Sequence, residues 1–264
     1  MNRTSGVVVA AVGMLTLAQP LGAQAIADRV TAVRNGTVEL HFAARRGVCG
    51  DGSERISVGR TVQFGRSDGD GYSSFCEPGP VRLRLRVEDG TVRGIRTSVG
   101  PSRSSGASTT DLGVVSSAVA ASYLLGLARS ANDQVSSAAV TAAVLADSVY
   151  PWRELLAVAR DSVTRSHATR SNAELWLSRF ASGKLTGHEN DLTAPDDEAV
   201  SDESQARSSA VFALSQLRNH EGIPPLLQVA RTNRDAHVRR SALFWLGQSG
   251  DGRALDLFEE ILGS

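Results

Sequence analysis

The sequence predicts an α+β protein. A small β-rich N-terminal module is followed by an all-α stack of helix pairs, an α-solenoid. Three observations predict it. Residues 81–87 alternate apolar side chains with arginine, the period of a half-buried strand, and Asp89-Gly90 then leads into Thr91-Val92-Arg93, a two-residue hairpin signal. Downstream, two short motifs recur every thirty-odd residues, which marks stacked helical repeats. Aromatics are only 5% of the 264 residues, so the core must be filled mostly with Ala, Val and Leu, as in closely packed helices. The formal charge is zero, with 28 basic and 28 acidic residues, which argues against a dedicated nucleic-acid binder and against an acidic disordered chain.

The N-terminal 25 residues read as an export signal. Arg3 supplies a positive start, residues 7–18 are apolar without a charge, and Ala23-Gln24-Ala25 offers a cleavage site. The apolar run is shorter than the roughly 20 residues a spanning helix needs, so the cleaved chain is expected to be periplasmic or extracellular and not membrane-spanning. Cys49 and Cys76, the only cysteines, lack Cys-x-x-Cys spacing and are expected to form a disulfide in such a compartment.

Residues 26–100 form the β-rich module. Val38, Leu40 and Phe42 alternate after Asn35-Gly36, a second hairpin candidate, whereas Ile26, Val30 and Val33 also fit a helical stripe. Arg82, Arg84 and Arg86 project from one strand face, with Arg93 expected nearby across the hairpin. Residues 26–110 hold 13 Arg against 9 acids, so an anionic partner could bind there; a solvated strand face protected against edge pairing is the plainer reading. Asp68 and Asp70 read as turn residues, since no later Glu completes a calcium loop. His41 has no partner at a suggestive spacing and reads as a surface histidine. Residues 101–110, rich in Ser and without an apolar period, read as a linker, and Asp111 as the cap of the first repeat helix.

Residues 111–264 carry the repeats. Leu124-Leu125-Gly126-Leu127-Ala128-Arg129, Leu155-Leu156-Ala157-Val158-Ala159-Arg160 and Leu226-Leu227-Gln228-Val229-Ala230-Arg231 start 31 and 71 residues apart, so one copy is missing between the last two. A second series is centred on Ala139, Ala173, Ala210 and Ala242, at spacings of 34, 37 and 32. Arg170, Arg207 and Arg239 fall at one equivalent position in it. Ala206, Ala210, Ala213, Leu214 and Leu217 make one helical stripe, and Val238, Ala242, Trp245 and Leu246 another. Trp176 and Trp245 hold equivalent stripe positions, and Asp235 or Asn233 and then Asp251 stand where the last two helices need caps.

These residues resemble HEAT repeats, particularly the short bacterial type also found in phycobilisome lyase proteins. The resemblance rests on Val238-Arg239-Arg240-Ser241-Ala242-Leu243-Phe244-Trp245-Leu246-Gly247 and on Ala206-Arg207-Ser208-Ser209-Ala210-Val211-Phe212-Ala213-Leu214. Ser249-Gly250-Asp251-Gly252, with Ala254, Leu255, Leu257 and Phe258, continues it. It covers residues 112–263 and is specific from 205 onward; Ser136 and Thr169 depart from the pattern in the earlier copies. The resemblance implies an α-solenoid that binds proteins or other partners, and no single chemistry.

Residues 183–204 stand where the missing helix should be. This acidic insertion contains Glu189, Asp191, Asp196, Asp197, Glu198, Asp202 and Glu203, with Pro195 to break any helix. It reads as an eroded repeat that became a solvated loop, or else as a recognition loop or a divalent-cation site helped by His188. His188-Glu189-Asn190-Asp191 lacks zinc-ligand spacing. No nucleophile elbow, phosphate loop or dinucleotide fingerprint occurs in strand–helix context. The sequence is therefore read as a non-enzymatic exported scaffold that binds a protein partner, with no catalytic residue, cofactor or metal site. The candidate contact residues are Arg82, Arg84, Arg86, Arg170, Arg207, Arg239, Asp196, Asp197 and Glu198. A metal-dependent envelope hydrolase using the acidic loop, and a chaperone or lyase-like HEAT protein, are the alternatives.

Overall fold

The computed structural model describes residues 21–59, 62–64, 76–101, 109–163, 165–187 and 201–264. Most of the predicted export signal, the Asp68/Asp70 pair, His188, and Asp196, Asp197 and Glu198 lie outside the described residues. Helix α1 (Leu21–Ala32) crosses the predicted cleavage point. The Ile26 and Val30 stripe made it a helix, and both side chains are buried.

Among the described residues eight strands follow: β1 (Asn35–Phe42), β2 (Val48–Gly50), β3 (Ile56–Val58), β4 (Val62–Phe64), β5 (Glu77–Pro78), β6 (Val81–Glu88), β7 (Thr91–Val99) and β8 (Thr109–Val114). They form one sheet of order β7-β6-β1-β8 and a smaller one of order β4-β3-β2-β5. The expected alternation holds: Val38, Leu40 and Phe42 of β1 and Val81, Leu83, Leu85 and Val87 of β6 are buried on one face. Each such side chain contributes about 1.5–3 kcal/mol through burial. The β6–β7 hairpin turns at Asp89 and Gly90, whose φ of 51° and 72° fit the twist of the flanking strands. Cys49 and Cys76 are bonded, with Cα atoms 5.1 Å apart.

Three local expectations are corrected. Asn35-Gly36 opens β1 instead of turning a hairpin, and the Asn35 Oδ1 accepts the Asp89 amide at 3.2 Å, tying the start of β1 to the β6–β7 turn. The sheet extends beyond residue 100: Thr109–Val114 is β8, parallel to β1, so the expected linker and the first residues of the expected solenoid include a strand. Asp111 lies in that strand and accepts the Gly113 amide at 2.7 Å; Ser116 caps the next helix instead. Thr109, Thr110 and Asp111 lack an apolar period, so pairing with an exposed edge of β1 decided their conformation.

The helices are α2 (Ser117–Ser130), α3 (Asp133–Val144), α4 (Trp152–Arg160), α5 (His167–Leu185), α6 (Asp202–Ser215), α7 (Ile223–Thr232), α8 (Ala236–Leu246) and α9 (Gly252–Gly263). Side chains of Ser116, Asn132, Ser166, Ser201, Asp235 and Asp251 accept amide protons at their N-termini. The Leu-Leu motifs fall in α2, α4 and α7, and the alanine-centred motifs in α3, α5, α6 and α8. The expected acidic insertion is shorter than residues 183–204, because α5 runs through Leu185 and α6 begins at Asp202.

The order of stacking departs from chain order. Along one row α3 packs on α5, α5 on α8, and α8 on α6; along the other, α4 contacts α9, and α9 contacts α7. The C-terminal pair α8 and α9 therefore occupies the slot beside α4 and α5, where α6 and α7 would stand in a sequential array. Ion pairs of Arg160 with Asp256 and Glu259, each at 2.8 Å, hold α4 to α9. Lys184 donates to the carbonyls of Leu262 and Ser264. Gly247 permits the close approach of α8 to α5, since a Cβ there would lie 2.7 Å from Ser178 Cβ. The physical cause is the apolar face of α5. Ala173, Trp176, Leu177 and Phe180 are fully buried, and α9, whose Ala254, Leu257 and Phe258 are buried in the same core, packs on this helix. The missing helix after α5 is thus replaced by one from the end of the chain.

The sheet and the helices share one core. Ala44 and Ala146 form a β-bridge, the Arg45 amide donates to Leu145 at 2.7 Å, and the Asp147 amide to Ala43 at 3.0 Å.

Candidate functional site

Two surfaces carry chemistry or exposed apolar area. The first is the polar face of the larger sheet. Thr37, Glu39 and His41 of β1 alternate with its buried residues, and β6 presents Arg82, Arg84 and Arg86 beside them, with Glu39 paired to Arg84 and His41 to Arg82. Arg84 Nε donates to Glu39 Oε2 at 2.9 Å, and His41 Nε2 lies 3.0 Å from Glu39 Oε1. Burial would raise the Glu39 carboxyl, but hydrogen bonds from His41 and Arg84 and their charges hold it below its ordinary value. His41 is therefore a half-buried, bonded residue and not a free surface histidine. Its signal in the sequence was the two-residue spacing to Glu39, which sets both on one strand face; only the register to β6 supplied the third member.

The lowered Glu39 pKa has a testable consequence. A depressed folded value means that the ionised carboxylate is the form the fold favours. Its contribution is present above the carboxyl's ordinary pKa and is lost as pH falls through the depressed folded value. Glu39→Gln is expected to lower stability by about 1 kcal/mol at neutral pH. The gap should close in acid, where the parent protonates, and urea unfolding across the acid range measures it. An equal gap at every pH would exclude the carboxylate charge as the cause.

The arginines of the predicted row part company. Arg82 donates to the Gly100 carbonyl. Arg84 is held by Glu39, and the exposed Arg86 pairs with Glu88 at 3.1 Å. Arg93 joins Arg84 and Arg86 along one cleft, as expected, and Arg96 stands directly opposite Arg84 across the hairpin.

The helical candidates serve their own turns. Arg170 Nη1 donates to the Arg165 carbonyl at 3.0 Å, and Arg239 Nη1 to the Arg234 carbonyl at 3.1 Å and to Asn233 at 2.8 Å. Each bonds the carbonyl five residues back, so the repeated arginine ties its helix to the preceding loop. Arg207 instead pairs with Glu203 one turn earlier in α6, on an exposed surface.

The second surface is the end of the helical row. Helix α6 fully buries only Val211. The expected packing stripe is corrected here: Ala206, Ala210, Ala213 and Leu217 are exposed, and Leu214 is half-buried. At the terminal position of the row, α6 has α8 on one side and no described helix continuing the row on the other. Phe212 and Leu217 are each 47% exposed and Phe244 is 39% exposed. Trp245 bridges the rings, with centroids 5.0 Å from both Phe212 and Phe244. Trp176, at the equivalent position of α5, is fully buried because α5 lies inside the row. Among the described residues no cluster of three or more His, Cys, Asp or Glu could hold a metal ion, and no helix is long and apolar enough to cross a membrane.

Fold and surfaces together define a class: a β-sheet module built onto stacked, alanine-centred helix pairs. Residues 197–264, which include α6 to α9, match the family model for HEAT repeats, and this supports a HEAT-repeat protein. Such repeats suggest a protein-interaction scaffold. No curated protein and no solved structure matches the chain.

Proposed function

We propose that this protein is an exported, non-enzymatic scaffold that binds a protein partner at the open end of its helical row. The observation that carries the reading is the exposed stripe of α6 with its flanking aromatic rings. Among the alanine-centred helices α5 and α8 are flanked on both sides by their own kind and α3 has α5 on one side and β7 beside it, whereas α6 has α8 on one side and no described helix of its kind on the other. A helix of the partner added to α6 would continue the row and cover Ala206, Ala210, Ala213 and Leu217. Small residues at that stripe allow close helix approach, while Phe212 and Phe244 supply large apolar anchors. The export reading draws on the N-terminal signal pattern and is in keeping with the Cys49–Cys76 bridge.

The test places a photo-crosslinking residue at Ala210 and, as a control, at Glu259 on α9, in cells producing the full chain. One protein captured from Ala210 and not from Glu259, and lost when Ala206 is changed to Glu, is the expected result. Capture of a second copy of this chain, or equal capture from both positions, would overturn the reading. All three substituted positions are exposed, and the Arg160–Glu259 ion pair lies between exposed side chains, so the fold should survive, as circular dichroism would show.

A further inference from the structure

The arginine-lined cleft at the sheet has no part in a helix-docking role and stands independently of it. It encloses about 720 Å³, within the range of small-molecule sites. Arg84 and Arg86 of β6 and Arg93 and Arg96 of β7 line it, and no carboxylate is among its described lining residues. Arg84 and Arg96 are direct cross-strand partners, an arrangement that is unfavourable for like charges unless an anion lies between or beside them.

The acids that answer these guanidinium groups lie outside the cleft lining. Arg84 is fixed by the buried Glu39, which sets it as a rigid floor. Arg86 and Arg96 pair with Glu88 and Glu54 through exposed side chains, and such pairs are worth only about 0–1 kcal/mol. They exchange readily for a stronger acceptor. Arg93 has no ion pair among the described residues. Ile95 gives the cleft an apolar wall, and Gln134 of α3 gives it an amide.

We propose that this cleft binds a small ligand carrying two or more phosphate groups. The planar guanidinium fork matches phosphate oxygens in pairs, and each phosphate brings more charge per volume than a carboxylate. Four forks around one small volume suit adjacent phosphates, with an organic portion against Ile95. A soluble phosphate ester and the headgroup of a diphosphate lipid share this chemistry.

The test titrates the full-length chain with sodium pyrophosphate by calorimetry at low salt, and separately pellets it with phosphatidylcholine vesicles with or without cardiolipin. Saturable binding is expected in at least one arm, with Arg93→Ala and Arg96→Ala each weakening it about tenfold, the loss of one charge-assisted contact. Arg231→Ala, at an exposed position of α7 and paired with Glu260, should leave it unchanged. Pyrophosphate binding without pelleting assigns a soluble ligand; cardiolipin-dependent pelleting that the same variants abolish assigns a lipid. Absence of both, an equal effect of Arg231→Ala, or tighter binding of poly-glutamate than of pyrophosphate would overturn the proposal.

Discussion

Replacing Arg45 with alanine should lower stability by about 3 kcal/mol or more, one of the largest single-site effects expected in this chain. Arg45 is only 2% exposed and has no ion-pair partner among the described residues. Its Nε donates to the Val144 carbonyl at 3.2 Å and its Nη2 to the Val149 carbonyl, while Nη1 lacks a hydrogen-bond partner among the described residues. The guanidinium stands 5.3 Å from the Phe180 ring centroid and 5.8 Å from that of Tyr150. Burial pulls its pKa below the ordinary value, and Tyr150 and Asp147 oppose that shift. The side chain thus joins the strand region to the turn between α3 and α4 and to α5, through two carbonyls and two rings. Alanine removes the packing and leaves both carbonyls unanswered. Methionine should lose less, because it fills the volume and buries no charge. Lysine should resemble alanine, since a compact ammonium can neither stack nor fork. Guanidinium unfolding ranks the three. A methionine variant less stable than the alanine one would show that the carbonyl hydrogen bonds outweigh the packing.

Removing the disulfide should have an effect of similar size. Cys49 and Cys76 are 27 residues apart, and closing such a loop restricts the unfolded chain by about 3 kcal/mol in the entropic account. Strand β5 is only two residues long and, among the described residues, pairs with β2 alone, at Cys49–Pro78 and Gly50–Glu77, so the bond also holds an edge that hydrogen bonds alone would hold weakly. The double variant Cys49→Ser, Cys76→Ser is expected to unfold at lower denaturant. Reductant should bring the parent to the same midpoint and leave the variant unmoved. A double variant as stable as the oxidised parent would remove the bridge from any account of stability.

The parts of the fold legible in the sequence were those set by local periodicity. The alternation at residues 81–87 became β6, Asp89-Gly90 became its turn, and the alanine-centred motifs became α3, α5, α6 and α8. Asp235 and Asp251 cap as read, because capping needs only the side chain and the amides two or three residues on. Strand β8 was missed because its residues are held by the edge of β1 and not by their own preference. The His41–Glu39–Arg84 group was missed for the same kind of reason: Arg84 is 45 residues from Glu39, and only strand register brings them together.

The helical stripes show the division most clearly. The repeat pattern established that Ala206, Ala210 and Ala213 share one face of α6, just as Val238 and Ala242 share one face of α8. It carried no information on which of the two faces would be covered. That depended on α8 and α9 taking the place beside α5, which buried one stripe and left the other at the end of the row. Periodicity is a property of a single helix and is written in consecutive residues. Burial depends on which neighbour arrives, and here that neighbour comes from the far end of the chain.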